Sequence, residues 1–125
     1  MAGGPKGMNI LIAEDDKNFG FILKRELEEE RYTVDLATNG VEAVLNFIGK
    51  PYGFVLLDIK MPRLTGTDAL RIIKKINPNV PVITFSGNAG SDEIAETIKC
   101  GALKCLVKPL LIAQLKDYIG TYILR

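Results

Sequence analysis

Several side chains that could do chemistry stand directly after apolar runs of the chain. Glu14 and Asp15 follow the first run, Asp58 follows the third, the fourth ends at Ser86, and Lys108 follows the fifth. If the fold brings the three carboxylates together, their repulsion would raise their pKa values unless a cation joined them. Ligands that are all oxygen atoms favour Mg²⁺, which takes one or two carboxylates and keeps several waters. The residue types therefore indicate a site for a hard divalent cation, and we expect Mg²⁺ as the cofactor.

The residue types also exclude other chemistry. The chain contains no histidine, which removes the Ser-His and Cys-His pairs of nucleophilic hydrolases and the usual ligand of zinc. Cys100 and Cys105 are the only cysteines, too few for a disulfide framework or a four-ligand metal site. We expect both to be buried, reduced thiols.

Composition points to a globular domain without a charged recognition surface. The chain has 125 residues, of which 47% are hydrophobic, and its formal net charge is +1. So small a net charge gives no reason to expect direct binding to nucleic acid or to a membrane. No apolar run is long enough for a membrane span, so a cytoplasmic location is expected. Residues 1–7 are interpreted as a disordered leader or a remnant of expression, and residues 8–125 as one domain.

Apolar runs alternate with amphipathic segments, and neither a linker nor an internal repeat interrupts them. Short aliphatic runs are typical of parallel strands that are buried on both faces. The strands are predicted at residues 9–13, 33–37, 53–57, 80–85 and 103–107.

Each predicted strand is followed by a segment with helical spacing. Asp16 is expected to cap the first helix, Asn39 and Glu42 to form a capping box at the second, and Ser91 to cap the fourth. The residues expected to face inward include Phe19, Val44, Phe47, Ile48, Leu70, Ile73, Ile76, Leu111 and Leu115. Five strand-helix units predict an α/β fold, a doubly wound (βα)5 sandwich in which functional groups meet outside the carboxyl ends of the strands.

Four segments together carry a specific resemblance. ILIAEDD, VLLDIKMPRLTG, VITFSG and ALKCLVKPL occur in this order, each around the end of its own predicted strand. In this they resemble the signature segments of the response regulator receiver domains of two-component systems, over roughly residues 8–124. The resemblance implies a flavodoxin-like, five-stranded parallel sheet in the order 2-1-3-4-5. It also implies a phosphoacceptor switch rather than an enzyme.

The same resemblance assigns roles to individual residues. It makes Asp58 the phosphoacceptor and Asp15 the direct ligand of Mg²⁺, with Glu14 assisting and the main-chain carbonyl of Lys60 completing the protein ligands. Ser86 would hydrogen-bond the phosphoryl group and Lys108 would neutralise it. These roles agree with what phosphoryl transfer needs, which is an aligned nucleophile and compensation of charge on the phosphoryl oxygens.

Further positions would control access and switching. Gly87 leaves room beside the phosphoryl group, and the bond before Pro109 resembles one that is cis in the family. The side chains of Lys60 and Asn88 stand where the family tunes the access of water, and Lys60 either shields the phosphoryl group or stays in solvent. Cys105 stands where the family usually has an aromatic ring that moves on activation.

The leading interpretation is a switch that takes a phosphoryl group from a sensor histidine kinase or a phosphotransfer protein and then alters its binding to a downstream protein. The target would bind through the fourth helix, fifth strand and fifth helix. The alternatives are an interaction module that works without phosphate and a Mg²⁺-dependent aspartyl phosphatase. Against the phosphatase, Asp58 is not followed two residues later by a second acid. The chain is expected to act alone or as a piece of a longer regulator.

Overall fold

A computed structural model describes residues 8–88 and 90–123, so the leader expected at residues 1–7 lies outside the described part. Five strands alternate with five helices in the described residues. Their bounds are β1 Asn9–Ala13, α1 Lys17–Glu28, β2 Thr33–Ala37, α2 Gly40–Gly49, β3 Phe54–Asp58, α3 Gly66–Ile76, β4 Val82–Ser86, α4 Ser91–Lys99, β5 Lys104–Val107 and α5 Ile112–Ile123.

All four strand pairings are parallel, and the sheet has the order β2-β1-β3-β4-β5. The doubly wound (βα)5 prediction and its strand order are therefore confirmed. Parallel strands place all their carboxyl ends on one edge, so the residues after β1, β3, β4 and β5 share that edge. None of the helices in the described ranges is both long enough and apolar enough to cross a membrane.

Two hydrophobic cores lie on opposite faces of the sheet. One contains Leu11, Val55, Leu57 and Val82 with residues of α2 and α3, and the other contains Ile10, Leu56 and Phe85 with residues of α1 and α5. The alternation along each strand divides its side chains between these cores, which explains why β3 and β4 are buried at every position.

Side-chain caps set where the helices begin. The carboxylate of Asp16 accepts from the backbone N–H groups of Asn18 and Phe19, as predicted. Asn39 accepts from the N–H of Glu42, but the Glu42 carboxylate accepts from Thr38 instead of Asn39, so the capping box is shifted by one residue. A second expectation was wrong: Ser91 is the first residue of α4, and Gly90 occupies the cap position.

Several side chains expected inside are exposed. Ile48 and Ile76 are exposed, because apolar residues continue around α2 and α3 beyond the face that contacts the sheet. Leu111 is also exposed, and it lies one residue before α5 begins. Cys100 and Cys105 are free thiols, and both are half-buried rather than buried. Helical spacing predicted the direction of the core but not the width of the buried face.

The loop after β3 runs close to two backbones. A Cβ atom at Gly66 would lie 1.9 Å from the carbonyl oxygen of Asp58, and one at Gly40 would lie 1.9 Å from that of Leu64. The N–H of Gly66 also donates to the carbonyl of Ile59 at 2.8 Å. The end of β3 is thus fixed by contacts that only glycine permits.

Candidate functional site

The carboxyl edge of the sheet brings three carboxylates together. One oxygen from each of Glu14, Asp15 and Asp58 lies within 4.8 Å of the other two. Glu14 and Asp58 are buried, at 2% and 4% exposure, whereas Asp15 is exposed. The predicted acidic cluster is therefore present.

Lys108, which follows the edge strand β5, brings a positive charge to the cluster. Its ammonium group lies 2.7 Å from a Glu14 carboxylate oxygen and 3.2 Å from an Asp58 oxygen. Burial opposes the charged form of this lysine, but the hydrogen bond with Glu14 and the charge of Asp58 outweigh it and raise the Lys108 pKa. The amine therefore stays protonated at neutral pH. The Lys108-Pro109 peptide bond is cis, as expected.

The neighbouring carboxyl groups, as well as the lysine, shift the pKa values of the acidic residues. Burial, and then the neighbouring carboxyl group of Asp58, raise the pKa of Glu14, although Lys108 partly offsets them. Partial desolvation and the adjacent Glu14 carboxyl group raise the pKa of Asp15, although much of its side chain stays exposed. Both shifts mean that holding all the negative charge here is unfavourable, and an added cation would relieve that cost.

The donors at this site fit a hard divalent cation. They are carboxylate oxygens on two buried residues and one exposed residue, without nitrogen or sulfur. Such a set suits Mg²⁺, which binds through few protein oxygens and keeps waters on its open side. Glu14, Asp15 and Asp58 are the residues that would hold it. The Lys60 carbonyl, predicted as a further ligand, stays a prediction.

The loop after β3 holds the Asp58 side chain from the backbone side. The Lys60 N–H donates to an Asp58 carboxylate oxygen at 3.1 Å. The other carboxylate oxygen contacts Lys108, so both oxygens of this residue have a partner. Asp58 is thus held in one orientation at the end of β3.

The Lys60 side chain reaches the start of α4. Its ammonium group pairs with Glu93, near the start of α4, at 3.3 Å, and about half of each side chain is exposed. The two residues line an open cavity with Ile59, Met61 and Thr65. Whether Lys60 shields the phosphoryl group or stays in solvent remains a prediction.

The loop after β4 presents a hydroxyl group. Ser86 is buried, and its Oγ accepts from the N–H of Asn88 at 3.2 Å. Its carbonyl accepts from the N–H of Lys108 at 2.9 Å, which ties the ends of β4 and β5 together. Gly87 and Asn88 are exposed, and a Cβ atom at Gly87 would meet only the Lys108 side chain, at 3.7 Å or more. Space beside Gly87 agrees with its predicted access role.

Cys105 lies in the middle of β5, where its Cα pairs with that of Thr84. Behind it, the buried hydroxyl of Thr84 contacts the Thr97 hydroxyl at 3.1 Å, and Thr97 also donates to the Ile94 carbonyl in α4. This polar link between sheet and helix was not expected. Nothing in the sequence around Thr84 or Thr97 predicts that their side chains form a hydrogen bond.

Two aromatic rings beside Lys108 also went unrecognised. The ammonium group lies 5.2 Å from the ring centre of Phe19 and 5.3 Å from that of Phe85. Helical spacing predicted that Phe19 faces inward, but spacing within one helix cannot identify a partner 89 positions away (108 minus 19). Only the strand order brings the two together.

Comparisons with known proteins agree with this geometry. The response regulator receiver domain family matches residues 10–120. The sensor protein EvgS of Escherichia coli K12 is 33% identical over 116 residues, covering 93% of this chain and 10% of EvgS. The transcriptional regulatory protein CusR of the same strain is 30% identical over 118 residues, covering 94% of this chain and 52% of CusR. The chain thus spans about a tenth of one relative and about half of the other.

A solved structure is similar over most of both chains. The CheX-CheY-BeF3-Mg complex from Borrelia burgdorferi contains a chain that superposes with a TM-score of 0.88 at 26% sequence identity. The superposition covers 96% of this chain and 92% of the other.

Proposed function

The chain belongs to the response regulator receiver domain family of two-component signalling, and on that premise we propose that it is a phosphorylation switch whose acceptor is Asp58. The observation that carries the proposal is the Lys108 ammonium group, which contacts both Glu14 and Asp58 at the carboxyl edge of the sheet. A buried carboxylate held beside a fixed positive charge is suited to take up an anionic group that needs compensation.

In the proposed reaction, an Asp58 carboxylate oxygen attacks the phosphorus of a phosphohistidine. The O–P bond forms while the N–P bond breaks, and the bonding electron pair leaves with the imidazole, which then takes up a proton. The Lys108 ammonium group stays protonated and turns toward the phosphoryl oxygens. The Ser86 hydroxyl donates to one of these oxygens. In dephosphorylation, water attacks the phosphorus of the acyl phosphate, the bond to the Asp58 oxygen breaks, and inorganic phosphate leaves. The domain would thus catalyse only its own phosphorylation and dephosphorylation.

Glu14, Asp15 and Asp58, with the Lys60 carbonyl, would hold Mg²⁺. When bound, Mg²⁺ supplies positive charge that offsets the repulsion between these carboxylates and the incoming phosphoryl oxygens. The raised pKa values of Glu14 and Asp15 support the need for such a charge. The solved Borrelia burgdorferi complex, one chain of which is similar to this chain, contains Mg²⁺ and BeF3, which supports the same assignment.

The donor would be a phosphohistidine of a sensor histidine kinase or a phosphotransfer protein, because these 125 residues contain no histidine to carry the phosphoryl group. The transfer would take place in the cytoplasm. The output would be a change in binding to a downstream protein through α4, β5 and α5. Exposed apolar residues on or beside these elements support this surface: Ile98, Leu103, Val107 and Leu111. Such side chains are suited to a protein partner.

The deciding experiment is incubation with Mg²⁺ and acetyl phosphate, followed by intact mass measurement. Wild type should gain one phosphoryl group, Asp58→Asn should gain none, and Asp117→Asn, a carboxylate change on α5, should behave as wild type. A chain that gains no phosphoryl group from acetyl phosphate, phosphoramidate or a panel of kinases would favour the phosphate-independent module. Multiple turnovers of inorganic phosphate per chain, abolished by Asp58→Asn, would favour the aspartyl phosphatase.

A further inference from the structure

We propose that Phe19 is a positioning residue for Lys108, and that its ring, together with that of Phe85, holds the ammonium group at the acceptor site. The inference rests on the proposed function, since it concerns the lysine that would neutralise the phosphoryl group. It assigns a task to two aromatic side chains on different elements, α1 and β4, that the described mechanism does not otherwise use.

The geometry supports cation-π contacts with two neighbouring rings. The Lys108 ammonium group is 5.2 Å from the Phe19 ring centre and 5.3 Å from the Phe85 ring centre, within the range of about 6 Å over which such contacts are attractive. The two rings meet edge to face, with centres 6.2 Å apart and planes at 69°. They therefore support each other as well as the lysine.

The surroundings explain why support is needed. The Lys108 side chain remains 27% exposed, and it lines an open cavity of about 410 Å³ with Asp16, Phe19, Gly87 and Pro109. A long lysine side chain at such a cavity can turn into solvent, which it favours for solvation and for rotamer freedom. Phe85 is fully buried and cannot move away. Phe19 is half-buried and lines the cavity next to Lys108.

The position of Phe19 is itself fixed. Its backbone N–H donates to the Asp16 carboxylate at 3.2 Å, so the residue that caps α1 also fixes the backbone that carries the Phe19 ring. The acidic loop after β1 thus places Glu14, which contacts the ammonium group directly, and Phe19, which contacts it through its ring.

The rings differ from the carboxylates in one respect. In the proposed reaction Asp58 becomes an acyl phosphate and loses its own negative charge, and the ammonium group must turn to the phosphoryl oxygens. The rings are unchanged by that reaction. They can hold the ammonium group near the edge both before and after transfer, which reduces the reorganisation that transfer requires.

The test separates the electrostatics of the ring from its size. Phenylalanine with one, two or three ring fluorines is placed at position 19, and phosphorylation by acetyl phosphate and affinity for beryllofluoride are measured with Mg²⁺ present. Fluorination weakens the negative face of the ring while keeping its shape, so both quantities should fall stepwise, to about fivefold in total. Phe19→Leu should lose a similar amount, and Phe19→Tyr should retain most of the wild-type rate.

Phe21 offers the matched control. It lies two residues further along α1 and is 56% exposed. The same fluorinated series at position 21, and Phe21→Leu, should leave both quantities unchanged. A loss in Phe19→Leu without any trend across the fluorinated series at position 19 would mean that the ring only fills space, and would overturn the inference.

Nuclear magnetic resonance gives a readout that does not depend on phosphorylation. The Lys108 side-chain protons should be shifted upfield by the rings in wild type, and Phe19→Leu should move them toward ordinary lysine values. Unchanged Lys108 signals would overturn the inference. If wild type accepts neither a phosphoryl group nor beryllofluoride, the proposed function fails, and these signals alone decide whether Phe19 positions Lys108.

Discussion

The Lys108 ammonium group lies 2.7 Å from the carboxylate of Glu14, which is 94 positions earlier in the chain. The contact joins the end of β1 to the residue after β5, across the β3 and β4 strands between them. Glu14 is almost fully buried, so its charge has little water to stabilise it. Lys108 therefore stabilises the buried carboxylate of Glu14 in the folded chain even when no phosphoryl group is present.

Removing that ammonium group should destabilise the domain. Lys108→Met leaves Glu14 and Asp58 buried without their counter-charge, and we expect the free energy of unfolding at pH 7 to fall by about 2 kcal/mol in the absence of Mg²⁺. Adding Glu14→Gln to this variant should recover part of the loss, because a charge is then removed. Urea denaturation of both single variants and the double variant measures the coupling, and additive effects would contradict it.

Neutralising the exposed Asp15 should increase the free energy of unfolding, where removing the Lys108 charge decreases it. Partial desolvation and the adjacent Glu14 raise the pKa of Asp15, so its ionised form costs folding stability at neutral pH. Without Mg²⁺, Asp15→Asn should raise the free energy of unfolding by a few tenths of a kcal/mol, a small gain because the side chain is exposed. It should also abolish the stabilisation that added Mg²⁺ gives to wild type. A variant still stabilised by millimolar Mg²⁺ would contradict the assigned ligand.

Gly66 and Gly40, which lie against the backbone of the loop after β3, should not tolerate a side chain. A Cβ atom at Gly66 would overlap the Asp58 carbonyl oxygen, and one at Gly40 would overlap that of Leu64. Gly66→Ala and Gly40→Ala should each lower the free energy of unfolding by about 3 kcal/mol, since a backbone must move. Gly90 is the control, because nothing lies within 4 Å of its Cβ position. Thermal unfolding of Gly90→Ala should differ from wild type by far less.

The glycines also show what could be predicted from the sequence. Gly66 follows Asp58 within a recognisable segment, so its close backbone approach was foreseeable. Gly40 opens α2, and its contact with Leu64 depends on how α2 packs beside the loop after β3. The shared edge carrying Glu14, Asp58 and Lys108 followed from the alternating apolar runs, whereas the strand order came from the resemblance of the four segments to receiver domains. The rule that functional groups meet outside the carboxyl ends of parallel strands depends on topology alone.

Contacts between helices and the sheet needed the structure. Ile48 continues the apolar spacing of α2 yet is 63% exposed, because that helix also carries exposed Val41 and Leu45. Where a helix is apolar on two sides, spacing does not select the buried one. The same reasoning explains Phe19, whose inward direction was predictable but whose partner Lys108 was not.

A hydrogen-bonded pair far from the acceptor should make stability depend on pH at both extremes. Tyr52 donates to the Asp35 carboxylate at 2.6 Å, and Lys50 pairs with the same group. Burial opposes ionisation of Asp35, but the contacts with Lys50 and Tyr52 outweigh it and lower its pKa. Burial and the Asp35 carboxylate raise the pKa of Tyr52.

Tyr52→Phe should therefore cost about 1 kcal/mol at pH 7. The lowered Asp35 pKa gives stability that is present above the ordinary value of 3.8 and is lost as the pH falls below it, so the difference between wild type and variant should shrink there. Above pH 10 Tyr52 releases its proton in the unfolded wild type and keeps it in the folded one, so wild type loses stability relative to the variant. Tyr118→Phe is the control, and a difference that is constant with pH would contradict the prediction.

The hydroxyl link between β4 and α4 should contribute to stability as a pair. Thr84 and Thr97 are fully buried, and Thr84 stands two residues before Ser86 on the same strand. Valine keeps the shape of threonine but removes the hydroxyl, so Thr84→Val and Thr97→Val should each lower the free energy of unfolding by about 1 kcal/mol. The double variant should lose less than the sum, because each single variant already breaks the shared hydrogen bond. Thr33→Val, at an exposed position of β2, should have a much smaller effect, and strictly additive losses for Thr84 and Thr97 would show that the two hydroxyls act separately.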